Sequence, residues 1–164
     1  MAVLPILRWP DARLAQRCAE VEAVTPALRN LVRDMFETMY DAPGRGLAAP
    51  QVGVLQRMFV MDETWKDGRP DPRVFINPDI LWMSDDRAEG EEGCLSLPGL
   101  SLRVSRAREI RLRWTDLDGT RQEALLSGFA AICAQHEFDH LDGVVTLHRL
   151  APAVRAKAEA EYLS

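Results

Sequence analysis

The chain carries one segment that restricts its folding more than any other. A run of about ten mostly apolar residues, Leu125–Ala134, leads straight into Gln135-His136-Glu137-Phe138-Asp139-His140. From Phe129 to about Leu141 the apolar positions recur at helical spacing, and Gly143 is the natural stop. Such a helix belongs inside the molecule, so its polar end enters the interior with it. Two imidazoles and a carboxylate buried without partners are costly, and their presence there needs a reason.

The spacing supplies one. Histidines at i and i+4 lie on one helix face a turn apart. His136 and His140 can therefore converge on one metal ion while Glu137 reaches a water beside it. The chain has 3 histidines, and two of them fall in this motif. A catalytic metal site commonly takes a third protein ligand. Downstream, His148, Glu159 and Glu161 are available, but His148 is out of step with the HExxHxxGxxH pattern and the two glutamates sit on a terminal helix. Upstream, Cys94 lies in Glu91-Glu92-Gly93-Cys94-Leu95-Ser96-Leu97-Pro98-Gly99 and is the better candidate as a thiolate. A third stretch, Gly44-Arg45-Gly46-Leu47-Ala48-Ala49-Pro50-Gln51, allows close backbone approach to a ligand. It lacks the Lys-Ser/Thr of a phosphate loop and the GxGxxG spacing of a dinucleotide fold. Gln51 offers an amide that can polarise a carbonyl.

The remaining residues sketch an α+β domain spanning 1–164. Thr25-Pro26 caps a helix over 26–40 whose stripe is Leu28, Leu31, Val32, Met35 and Met39. Strands are expected at Arg57–Met61, Val74–Ile76, Ile80–Met83, around Ile110–Trp114 and near Gln122–Leu126, with a hairpin at Asp118-Gly119. Pro152–Leu163 reads as a last helix. Residues 1–24 lack clear periodicity and are expected to wrap the surface, Asp41–Gly53 is expected to be mostly loop, and Asp85–Gly99 is expected to be irregular.

Composition narrows the function. With 20 basic and 25 acidic residues the net charge is −5, so no global nucleic-acid footprint exists. No stretch approaches the roughly 20 apolar residues of a membrane span. The opening MAVLPIL lacks a basic region and is broken by Pro5, and an odd count of 3 cysteines fits free thiols in a reducing cytoplasm.

GRGLAAPQ at 44–51, EGCLS at 92–96 and QHEFDHL at 135–141 together resemble the three motifs of the peptide deformylases. ILRWPDARL at 6–14, LVRDMFETMY at 31–40 and INPDI at 76–80 extend the resemblance over nearly the whole chain. The resemblance implies antiparallel sheets around a central metal-binding helix. It implies one divalent ion, natively Fe(II) and replaceable by Zn(II), Ni(II) or Co(II), on Cys94, His136 and His140. It implies removal of the formyl group from N-formylmethionyl peptides or nascent chains by metal-hydroxide attack, with Glu137 as base and acid. Gln51 and the Leu95 N–H become the oxyanion site, and the Gly46 backbone contacts substrate. Ile132, Cys133 and Leu95 fall near the methionine pocket, and Glu92 with Arg106 braces the cysteine loop.

Three positions depart from the family pattern. Arg45 replaces a small or branched apolar residue close to the substrate, Ser101 replaces a bulkier or basic one, and His148 stands where an acidic residue is common. Basic C-terminal helices of the family can dock on the ribosome, but here Glu159 and Glu161 offset Arg155 and Lys157, which argues against such contact. An amidohydrolase acting on another N-acylated substrate, a binding domain that keeps the motif, and a metalloprotease with a downstream ligand are the competing readings.

Overall fold

In the computed structural model, which describes residues 2–164, a five-stranded antiparallel sheet is enclosed by two helices. Helix α1 (Pro26–Asp41) opens with the Thr25 hydroxyl accepting the Leu28 N–H at 3.1 Å and with proline in its first turn. Strands β1 (Gly46–Ala48), β2 (Met58–Met61), β3 (Arg73–Met83), β6 (Glu109–Thr115) and β7 (Arg121–Ser127) pair in that order, with β1 and β7 at the edges. A second sheet is the ribbon of β4 (Arg87–Cys94) and β5 (Leu97–Ala107). Helix α2 (Gly128–Leu141) follows β7 directly, and α3 (Pro152–Leu163) closes the chain. The fold is thus α+β with antiparallel sheets.

The alternation of β2 explains the layering. Its four residues are all fully buried, because the strand is covered on both faces. Met58 and Val60 join Leu28, Val32, Met35 and Met39 of α1, whereas Phe59 and Met61 join Ala131, Ala134 and Leu141 of α2. Phe59 stacks on Phe75 at 4.8 Å within the layer beneath α2. The functional helix therefore lies on a packed, aromatic floor that fixes its position. Gly143, at φ 74°, ends it. The Ala15 backbone lies 2.6 Å from where a side chain there would begin, so both conformation and space demand glycine.

Several expectations require correction. The stretch Asp85–Gly99 is not irregular: most of it forms the β4–β5 hairpin, in register from Arg87↔Ala107 to Gly93↔Ser101. Its sequence, RAEGEEGC, has no apolar alternation because β4 is mostly solvated, and backbone pairing alone declares the strand. The two strands expected at 74–76 and 80–83 are one, β3, with register shifts around Asn77-Pro78. Asn77 takes a positive φ of 47°, and its side chain bonds the Val21 N–H and C=O, both at 2.8 Å, which holds the bend. Asp41–Gly53 contains β1 and a 3-10 turn, Ala49–Val52. Within 1–24, Ala12–Ala15 is a 3-10 turn whose Leu14 is fully buried, while Met1 lies outside the described residues. This segment meets α3, where Trp9 Nε1 donates to Glu159 at 2.7 Å and the Tyr162 hydroxyl donates to the Trp9 carbonyl at 3.0 Å. Among the described residues no helix is long and apolar enough to cross a membrane.

Candidate active site

Three elements meet at a cavity of about 1120 Å³. From the sheet edge come Arg45 and Gly46 of the β1 region, with Gln51 in the turn that follows. From the ribbon come Cys94 and Leu95, and from α2 come Ile132, Cys133, His136 and Glu137. All nine line the cavity. His140, a turn further along α2, does not line it and is buried.

The ligand atoms of Cys94, His136 and His140 lie within 4.8 Å of one another. Cys94 Sγ is 3.4 Å from His140 Nε2. A tetrahedral cation with bonds of about 2.3 Å to sulfur and about 2.1 Å to nitrogen holds such atoms about 3.6 Å apart. The electrostatics set the two imidazoles apart. Burial works against a charged His136, yet Glu137, Cys94 and Glu92 together draw its pKa well above the ordinary value. Burial and the neighbouring His136 hold His140 well below it. A thiol, two imidazoles and surrounding carboxylates form a set that fits a divalent cation. His148 is not in the cluster; its Nδ1 accepts the Val145 N–H at 3.0 Å, and its ring meets Trp9 edge-on.

Behind the donors lies a buried ionic chain. His136 Nδ1 is 3.0 Å from Glu92, which orients the ring and turns its other nitrogen toward the cluster. Arg106 binds Glu92 through both Nε and Nη2, at 2.6 and 3.0 Å, and binds Asp139 through Nη1 at 2.9 Å. Arg149 then clamps Asp139 from outside, at 2.9 and 2.5 Å. Burial raises the Glu92 carboxyl, but His136 and Arg106 outweigh it and bring the group down to about 2. The parts played by Asp139 and Arg149 are not read from the motifs. The available signal was the i, i+3 spacing of His136 and Asp139, which puts both on neighbouring parts of one helix face. Arg106→Met is expected to leave Glu92 and Asp139 buried without their cation. Destabilisation of about 3–5 kcal/mol follows for such a broken pair, measurable by urea unfolding. An unchanged midpoint would remove the chain from the account of stability.

Gln51 is buried and fastens two elements together. Its Oε1 accepts the Ala48 N–H at 2.9 Å, while its Nε2 donates to Ser96 Oγ at 3.1 Å and lies 3.8 Å from Cys94 Sγ. Glu137 faces Gly46 across the cavity wall. A Cβ on Gly46 would sit 2.6 Å from Glu137 Oε2 and 2.8 Å from Cys133 Sγ, so only glycine lets the strand approach so closely. Glu137 Oε1 is buried and has no hydrogen-bond partner among the described residues. Burial pushes the carboxyl up to about 7, against the pull of His136 and Arg106. A carboxyl poised near neutrality beside such a donor cluster can exchange protons with a reacting group.

Comparison with known proteins agrees with this arrangement. The polypeptide deformylase family model matches residues 3–156. Peptide deformylase from Afipia carboxidovorans is 46% identical over 162 residues, covering 99% of this chain and 95% of the relative. That of Pseudomonas aeruginosa is 43% identical over 166 residues, with coverages of 99% and 98%. The crystal structure of the Ehrlichia chaffeensis peptide deformylase in complex with actinonin superposes with a TM-score of 0.91. It is 40% identical and covers 98% of this chain and 96% of that one. With a family match over almost its full length and relatives of this similarity, the chain belongs to the polypeptide deformylase family of enzymes.

Proposed function

We propose that the protein hydrolyses the formyl amide of N-formylmethionyl peptides and nascent chains, releasing formate and a free amino terminus, in the cytoplasm. The observation that carries this reading is the convergence of Cys94, His136 and His140 beside a buried, unpartnered Glu137 oxygen at the cavity wall. Cys94, His136 and His140 would hold a divalent cation, Fe(II) by family resemblance, with Zn(II), Ni(II) or Co(II) suited to the same donors. Such a cation supplies Lewis acidity toward a carbonyl and lowers the pKa of water.

The chain's own residues perform the rest. Glu137 takes a proton from the attacking water and returns it to the departing nitrogen, so that an amine leaves rather than a poor amide anion. As charge grows on the formyl oxygen, the Gln51 amide and the Leu95 N–H donate to it. Loss of one such donor typically costs about 3 kcal/mol in the barrier. Ile132, Cys133 and Leu95 give the methionine side chain an apolar wall. The unpaired edge of β1 presents the Gly46 backbone to an extended peptide, which can add to the sheet as a strand.

The test is anaerobic purification, metal analysis and steady-state formate release from formyl-Met-Ala, with acetyl-Met-Ala as the competing acyl substrate. Turnover of the formyl peptide well above the acetyl peptide is expected. Negligible formate release overturns the reading, and preferential acetate release transfers it to an amidohydrolase of different substrate. Gly46→Ala gives an independent check on geometry. The new methyl group forces the Glu137 carboxylate aside, and displacement of that order costs about 100-fold in kcat/KM. A variant that folds with normal circular dichroism yet retains full turnover would separate Glu137 from the chemistry.

A further inference from the structure

The rim of the cavity carries charges of both signs, and two of its cations are unusually free. On the β1 side the guanidinium of Arg45 lies over the exposed Phe129 ring, 5.2 Å from its centroid. It forms no ion pair among the described residues, and its buried Nε has no acceptor among them. Lys66 stands nearby, over Trp65, whose Nε1 donates to the Gly44 carbonyl at 2.8 Å. Lys66 also forms no ion pair among the described residues, and both cations line the cavity. Across the cavity, the β4 carboxylates are already engaged: Glu91 accepts from Ser101 Oγ at 2.9 Å, and Glu89 pairs with Arg103 at 3.4 Å. Asp41 also lines the cavity, so Arg45 and Lys66 are two cations without ion-pair partners among the described residues on a rim of mixed charge.

We propose that Arg45, supported by Lys66, selects formylmethionyl peptides that carry aspartate or glutamate within the first two residues after the methionine. The inference rests on the deformylase reading and adds a substrate preference to it. Gly46 touches Glu137, so Arg45 is the next step along the strand away from the reacting groups. An extended peptide advances about 3.3 Å per residue, which brings the side chains just beyond the methionine alongside Arg45. Phe129 holds the guanidinium in place through its ring face and limits the entropy lost on pairing. Repulsion from Arg45 and Lys66 disfavours a lysine side chain at the same place.

The experiment compares kcat/KM for formyl-Met-Ala-Ala with formyl-Met-Asp-Ala, formyl-Met-Ala-Asp and the lysine counterparts of both. At low salt at least one acidic peptide is expected to exceed its lysine counterpart by about fivefold, the scale of one accessible ion pair. The ratio is expected to shrink as salt rises to about 0.5 M. Arg45→Gln is expected to bring the ratio near one, and Arg45→Glu to invert it. Because each ratio is internal to one variant, a change in overall activity does not disturb it. Turnover of formyl-Met-Ala-Ala with equal ratios in the unmodified protein, or an acidic preference that survives Arg45→Gln, overturns the inference and leaves the deformylase reading intact. Failure of every formyl peptide to release formate overturns both.

Discussion

Glu137→Gln is expected to lower kcat/KM for formyl-Met-Ala by about 10²- to 10⁴-fold, the range that a positioned proton-transfer group contributes. The substitution is nearly isosteric, so the contact with Gly46 and Cys133 survives, but a carboxamide can neither accept the water proton nor return it. Two features make the effect large. Glu137 is buried at the cavity wall, and the neighbouring lining carboxylate, Glu92, is committed to His136 and Arg106. Its buried Oε1 has no hydrogen-bond partner among the described residues, which leaves it open to a water or a substrate. Metal content is expected to stay near that of the parent protein, because the ligand cluster comprises Cys94, His136 and His140 without Glu137. Formate release and metal analysis on the same sample therefore separate proton transfer from cation binding. Full activity in the glutamine variant would require a different base, and loss of metal along with activity would make Glu137 a ligand.

The sequence was most readable where burial imposes a period. Helix α1 announces itself through Thr25-Pro26 and its apolar stripe, and the β6–β7 hairpin through Asp118-Gly119, whose glycine adopts φ 78°. Helix α2 was readable because its apolar run passes into two histidines a turn apart. Where pairing, not side-chain burial, makes the strand, nothing periodic remains to be read. The β4 strand is mostly solvated and held by its ladder with β5, so its sequence looks like a loop. Pro78 likewise suggests a break that β3 absorbs through the Asn77 bend. The site shows the same division. The pair His136/His140 is local and follows from helix geometry, whereas Cys94 is 46 residues from His140 and no spacing rule connects them. Its glycine-flanked setting put it forward as a candidate, and the resemblance of the three motifs then joined it to the pair. Asp139 and Arg149 were missed because an ion pair's partner is set by tertiary packing, which places Arg149 next to α2 only after the chain has turned at Gly143.

Removing the sulfur should have the more severe consequence for the cation. Cys94→Ala leaves two imidazoles from one helix face, and two neutral donors cannot complete the three-ligand set of a catalytic site. Disturbing a residue that merely orients a ligand already weakens metal binding by about 10- to 100-fold, so deleting an anionic ligand is expected to weaken it by more than about 100-fold. After dialysis, metal content is expected to fall from near one ion per chain to background, and formate release with it. The other thiols make the control sharp. Cys18 is buried beneath the end of α2, where its N–H donates to the Leu141 carbonyl at 2.8 Å, and burial raises its thiol to about 11. It lies outside the cluster, so Cys18→Ala is expected to keep its metal. Cys94→Asp restores an anionic donor of harder character and is expected to recover part of the binding with a changed order among Fe(II), Co(II) and Zn(II). A Cys94→Ala protein that still purifies with one tightly held ion would move the third ligand elsewhere. The downstream carboxylates of α3 would then be next to test, although Glu159 is already tied to Trp9 at 2.7 Å.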